Sequence, residues 1–454
     1  MDYFALDIGS SFIKAAWLDL DKAHVVVWKK VPTPPFLPSE IPGEKALSPE
    51  VLVSTVRSLL EEAYRLRPFE GIVFSSQMHG LQLFHTDGTP YGLMHTWQDE
   101  TAALPMKDGE SAVDRLRKEP FASAFRKIGV ELSTAHTVSQ LYAARLRGLE
   151  GNFTVASPAD AVVDLLCGEF LPVHPTIAHA FGGYDPDRGL WDKALLASLF
   201  PESFRFPEIL RDETSPVGSL ILAGHEVRVY APIGDQQAAV LGNLPGDNDL
   251  LLNIATGSQV ISLETEAAPG QYERRPYFEG RIFRTVTHIP AGRMLNCLID
   301  FFEDACYRLT GEATDRSLLW ARATEAVGKL GGTALHFDTS IYNTYGASSG
   351  GSITGITPDS LRFDQILYAA YQDVARNFAE SYRVMAEPGK KISSIRLTGG
   401  VAQRSPFLTG MIADAFGAEA SLSPYADEVL TGLLRLALRV SGAYPTLAAT
   451  AERV

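Results

Sequence analysis

Cysteine is scarce: Cys167, Cys297 and Cys306 are the three in 454 residues, too few and too scattered for a disulfide framework or a zinc site. They suit a reducing compartment. Long apolar runs are missing too. No stretch approaches 18 uninterrupted apolar residues, so no membrane span is expected. The first residues lack a basic segment and Asp7 interrupts the early apolar run, so no secretory signal is expected and the location is read as cytoplasmic. Positive charge is in short supply, with 40 Lys and Arg against 54 Asp and Glu and a net charge of −14. That balance argues against nucleic acid or an anionic membrane as the main partner. Neither G-x-x-x-x-G-K-[ST] nor G-x-G-x-x-G occurs, so a P-loop and a Rossmann site both lack support.

What is present is a hairpin written twice. "YFALDIGSSFIKAAWLDL" (Tyr3–Leu20) reads as strand, Asp, a tight turn of Gly and Ser, then strand, and "LLLNIATGSQVISLE" (Leu250–Glu264) repeats the order with Asn253 in place of Asp7. Between the copies lie a strand at His24–Val31, a capped helix from Ser48 to about Arg67, a buried-type strand "GIVFSS" and a capped helix at Ser157–Gly168. "VYAPIGDQQAAVLGNL" reads as strand, sharp turn and small-residue helix. After the second copy come a helix over Ser360–Met385, a strand ending in Gly399 and Gly400, and a helix over Ser405–Gly417. Strands alternating with helices predict an α/β fold with mixed sheets. A chain of this length exceeds one core, and the second hairpin opens a second half of similar size. Two domains, 1–246 and 247–454, are therefore expected.

Gly-Ser-Thr turns present backbone N–H groups and hydroxyls suited to phosphate oxygens. Two such turns facing each other across a cleft could grip a polyphosphate from both sides. Taken singly, each is as readily an ordinary hairpin turn. "GASSG" at Gly346–Gly350 formally fits a nucleophile elbow, but a poor helix start follows and no His occurs after His336, so that reading fails on chain order. His174 and His179 have a weak metal spacing without a third ligand, and Asp185, Asp187 and Asp192 lack the spacing of a calcium loop.

Taken together, the segments resemble the FGGY carbohydrate kinases of the actin–hexokinase superfamily. The parts carrying the likeness are "ALDIGSSFIKAAWLD", "SSQMHGLQLFHTDGTPYGLMHTWQDETA", "APIGDQQAAVLGNL", "LNIATGSQVIS" and "LTGGVAQRSPFLTGMIADAFG", in that order. Within the family, "TWQDE", "SPADAVVDLLCG" and "ERRPYFEGRIF" look like segments of the sedoheptulokinase group, while xylulokinases share Gln-Met-His-Gly. The chain departs from the pattern at its Gly-Ser-Ser turn, at Gln140 where a Lys is usual, and in "NTYGASSGGSITGI", which lacks the usual charged Gly-Glu-Arg.

The resemblance implies two actin-like, ribonuclease H-like domains with a cleft between them, and transfer of the γ-phosphoryl of ATP to a sugar hydroxyl with Mg²⁺ present. By the same likeness Asp235 is the base; its place at the start of a helix equally fits an N-cap, and the helix amino terminus would keep it ionised. Asp7 would hold Mg²⁺. Ser10, Ser11 and Lys14 would serve the first phosphate turn, Thr256, Gly257 and Ser258 the second, and Gly399, Gly400 and Gln403 the adenosine side. Gln77, Met78, His79, Trp97 and Asp99 would bind the sugar, although Met78, Trp97 and His79 also fit ordinary core positions. A ketose, with sedoheptulose giving its 7-phosphate as the leading candidate and xylulose as the alternative, is the expected acceptor. A homodimer is among the expected assemblies. The rival from another class is a sugar or nucleotide sensor without catalysis, which would be expected to lose Asp235 or one phosphate turn.

Overall fold

A computed structural model describes residues 2–255, 257–339 and 350–454. Thr256 and most of "GASSG" therefore lie outside the described residues. In the first half, strands Asp2–Ile8, Phe12–Asp19 and His24–Pro32 form an antiparallel meander, and Gly71–Ser76 runs parallel to the first of them. The short strand Ile233–Gly234 continues the sheet, parallel to Ser75 and Ser76. Phe4–Ile8 and Gly71–Ser76 are buried at every position, as strands covered on both faces must be. One cover is helix Pro49–Leu66, whose Leu52, Val56 and Leu60 pack with Phe4, Leu6 and Phe74. It starts where the sequence predicts: the Ser48 hydroxyl accepts the Val51 N–H and Pro49 occupies the first turn. A second sheet of five strands, including Leu81–Phe84 and Pro90–His95, has its own core under helix Thr137–Leu146.

The second half repeats the plan. Asp249–Asn253 pairs antiparallel with Ser258–Glu264, which pairs with Ile282–Ile289, and its other edge runs parallel to Ser394–Thr398 and then Ala420–Leu422. The match extends to the strand ends, although the second turn is one residue shorter. Asp7 stands opposite Lys14 across its hairpin, and Asn253 stands opposite Gln259 across the other. The architecture is α/β with mixed sheets flanked by helices, as the alternation of periods implies.

Helix Glu428–Val440, the last α-helix among the described residues, returns to the first sheet. Leu430, Leu433 and Leu434 share a core with Tyr3, Ala5 and Val73. It crosses helix Asp235–Asn243 so closely that a Cβ on Gly432 would lie 2.0 Å from the Ala238 carbonyl oxygen, and one on Gly242 would lie 2.0 Å from that of Glu428. Only glycine permits such an approach. The helix expected from Ser360 begins at Phe363 instead, because Ser360 and Thr357 close a turn on each other's hydroxyls and backbone N–H groups.

Candidate active site

Parallel strands place their following loops on one side. Asp7, Gln77 and Asp235 thus gather at the carboxyl ends of neighbouring strands, and Asn253 and Gly399 do so in the second half. The two sets meet across a cleft of about 390 Å³ whose walls include Gln77, Met78, His79, Trp97 and Asp235 from one half, and Asn253, Gln259, Arg275 and Gly399 from the other.

Asp235 is the first residue of helix Asp235–Asn243, and its own Oδ1 accepts the Gln236 N–H at 2.8 Å. Burial, with repulsion from the Asp7 carboxylate behind it, pushes its carboxyl up to about 6; the Gln236 N–H and Arg275 act the other way. Desolvation and a like charge thus outweigh the helix amino terminus in setting its pKa, although at neutral pH the group is still mostly ionised, as expected. A carboxylate poised there can accept a proton at neutral pH and still has driving force to do so.

The sugar segment divides. Met78 is buried at 6% exposure but lines the cleft, its Sδ standing where a Cβ on Gly234 would come within 2.9 Å. Trp97 is 44% exposed and so is no core residue. His79 holds a positive φ of 67°, in the left-handed region that few residues other than glycine occupy. Burial, then His136 and Arg275 nearby, hold its imidazole well below the usual range, so it faces the cleft neutral. Gln77 accepts a hydrogen bond from the Ser10 hydroxyl at 3.2 Å, and that hydroxyl accepts one from the Trp97 indole at 2.8 Å.

Asp99 does not join them. It has no exposed surface: one oxygen accepts Thr101 N–H and O–H, the other the Lys45 N–H and a contact with His95 Nδ1 at 3.0 Å. Burial alone would raise its pKa, but these bonds hold it low. Asp99 is absent from the cleft wall and shapes the loop that carries Trp97.

The first phosphate turn stands behind the cleft wall. Ser10 is engaged by Gln77 and Trp97, Ser11 is exposed, and Lys14 bridges Asp7 at 3.3 Å and Asp427 at 2.8 Å. Burial works against the Lys14 ammonium, and the two carboxylates more than offset it. Burial also raises Asp7, with Lys14 opposing. In the second turn, Ser258 Oγ accepts the Ala255 N–H and donates to the Ala255 carbonyl, leaving Gly257 open at the surface. Gly399, at φ 88°, lets the strand end pass Asn253, whose Oδ1 would be 2.5 Å from a Cβ there. Beyond it a cavity of about 870 Å³ is lined by Ala255, Asn296, Trp320, Gly400 and Arg404. Gln403, on the same short helix, is exposed and lies off these walls.

Sequence reasoning missed Arg275, Gln236 and Gln259. Arg275 donates to Gln236 Oε1 and, at 2.8 Å, to Glu273, while Gln236 Nε2 donates to Gln259 Oε1 at 2.7 Å. The sequence offered little signal, since the strand Glu273–Pro276 reads Glu-Arg-Arg-Pro and only the fold buries it. Among the described residues no group of three His, Cys, Asp or Glu side chains could hold a metal by itself. Asp7, expected to hold Mg²⁺, is buried against Lys14 and does not border the cleft, so as a lone carboxylate it could serve the ion only together with waters and substrate phosphates.

Residues 303–440 match the carboxyl-terminal domain of the FGGY family of carbohydrate kinases. That segment of the chain is similar to the family's carboxyl-terminal domain. A xylulose kinase of Staphylococcus epidermidis is 21% identical, covering 98% of this chain and 89% of the relative. Two solved structures from Lactobacillus acidophilus share the fold of this chain. A gluconate kinase superposes with a TM-score of 0.81 at 16% identity, and a ligand-bound xylulose kinase with 0.80 at 16%; each match covers all of this chain and 92% of the other. The fold is thus the two-domain, actin-like one. Two kinases named for different acceptors superpose equally well, so the backbone does not choose the acceptor. Among the described residues, no helix is long and apolar enough to cross a membrane.

Proposed function

We propose that this kinase transfers the γ-phosphoryl of ATP to the terminal hydroxyl of a ketose, in a cleft between domains 1–246 and 247–454. The carrying observation is Asp235: a carboxylate at a strand end, poised near neutral pH, on a wall shared with Met78, His79 and Trp97. As the acceptor oxygen bonds to the γ-phosphorus and the bond to the β–γ bridging oxygen breaks, the hydroxyl proton passes to Asp235, and ADP leaves. Such transfer depends mainly on positioning and charge neutralisation. Gln77 and His79 would orient hydroxyls, while Met78 and Trp97 cover the carbon chain. The nucleoside would lie in the cavity beside Gly400 and Arg404, with its phosphates reaching past Gly399 and the Gly257–Ser258 turn. Mg²⁺, held by Asp7 and the phosphates, would neutralise charge there. Lys14 and Ser10 would act by fixing Asp7, Gln77 and Trp97.

Sedoheptulose is the acceptor favoured by the segment likenesses. The xylulose kinase relative favours a five-carbon ketose instead. The decisive test is Asp235→Asn assayed by ADP release: turnover should fall about 10²–10⁴-fold with ATP binding largely intact. Full activity in that variant would reject the assignment, and a screen over pentuloses, heptuloses, hexoses and polyols names the acceptor.

A further inference from the structure

The cleft does not end at His79 and Trp97. A second chamber of about 340 Å³ opens beyond them, and His79, Trp97, Gln259 and Arg275 form walls of both spaces. Asp235 borders the first space only, so the reacting hydroxyl belongs there. The second is closed by Arg117, Glu131 and His136 from one half and Glu273 and Thr287 from the other. We propose that this outer chamber is a subsite for the far end of a long, uncharged polyhydroxy acceptor, extending beyond the length of a pentulose. The proposal rests on the sugar-kinase reading above.

Three observations carry it. The second turn separates the chamber from the nucleotide side: Ala255 borders the nucleoside-sized cavity, whereas Gly257, Ser258 and Gln259 border the chamber. The chamber sets two arginines, Arg117 and Arg275, against two glutamates, Glu131 and Glu273, which leaves little net charge to draw in a carboxylate or phosphate. Arg275 pairs with Glu273, and Arg117 gives its Nε and Nη2 to the Leu132 carbonyl at 3.1 and 2.9 Å. His136 accepts the Ser133 N–H on Nδ1 at 3.1 Å, so as a neutral ring it carries its proton on Nε2. That buried Nε2 has no hydrogen-bond partner. Burial, then the Arg275 charge, holds His136 far down, at about 3, so it stays neutral. Such a wall suits hydroxyls. An acceptor ending at Trp97 would leave the chamber to water, whereas a longer chain displaces that water.

The test is a length series with ATP held saturating: five-, six- and seven-carbon ketoses on the full chain, then on Glu131→Trp, which places bulk at the exposed rim. The seven-carbon ketose should exceed the five-carbon one in kcat/KM by at least about tenfold, the scale of pocket discrimination by added carbons. Glu131→Trp should shrink that ratio by a similar factor. A wild-type preference for the pentulose, or an unchanged ratio in the variant, would overturn the proposal. If no ketose reacts, the ketose reading fails by itself, and alditols and aldoses of five and seven carbons supply the same length ratio. Absence of any polyhydroxy acceptor would overturn both.

Discussion

The two hairpins share topology and position at the ends of parallel strands, yet they carry different chemistry at their strand ends. The first sets Asp7 against Lys14; the second sets Asn253 against Gln259. The charged pair faces a third charge, Asp427, from the helix cap of the other half, and so binds the halves together behind the cleft. The amide pair is uncharged, and Gln259 reaches Gln236 beside the proposed base. Similar backbones have therefore divided the work: one hairpin supplies charge, the other polar contacts to whatever lies in the cleft.

Making the hairpins alike should remove that division. Asp7→Asn gives the first hairpin the second's amide and should lower kcat on the order of 10²-fold, the scale of losing one preorganised electrostatic partner. Activity within twofold of the parent would mean that the charge of the first hairpin is not used. The pH profile tests the same carboxylate pair. A base must be ionised, so kcat/KM should fall about tenfold per unit as pH drops below about 6, and stay level above it. In Asp7→Asn the limb should move to lower pH, because the repelling neighbour is gone. A limb that stays in place would separate Asp7 from Asp235.

His79→Ala, in the first half alone, should raise the sugar KM about tenfold while leaving the ATP KM within twofold, given hydrogen-bond losses of one to two kcal/mol. Equal changes in both would place His79 outside the acceptor site. The smallest expected effect joins the halves: Gly432→Ala forces apart the helix crossing and should cost about 1–3 kcal/mol, read as a lowered thermal midpoint. An unchanged midpoint would show that the crossing relaxes freely.

Much of this was legible in the chain. The duplicated hairpin, the caps at Ser48 and Ser157, and Asp235 opening a helix all depend on neighbours a few residues away. Gln77, Met78, His79 and Trp97 are brought to one wall as their segment suggested. Asp99 was misplaced because nothing local says that Lys45, from another strand end, will donate to it. Gln403 was misplaced because a short helix can turn either neighbour outward, and here Arg404 faces the cavity. Arg275 was missed because its partner Gln236 lies in the other half of the sequence.

Periodicity, turn chemistry and capping are short-range properties, and they decided by themselves that this protein is a duplicated α/β chain with its polar turns at strand ends. Which side chains face each other over the cleft, and how strongly Asp235 holds its proton, was decided only by the packed pair of halves. Desolvation and charge repulsion depend on atoms brought close in space, and Asp7 reaches Asp235 through a sheet rather than along the chain.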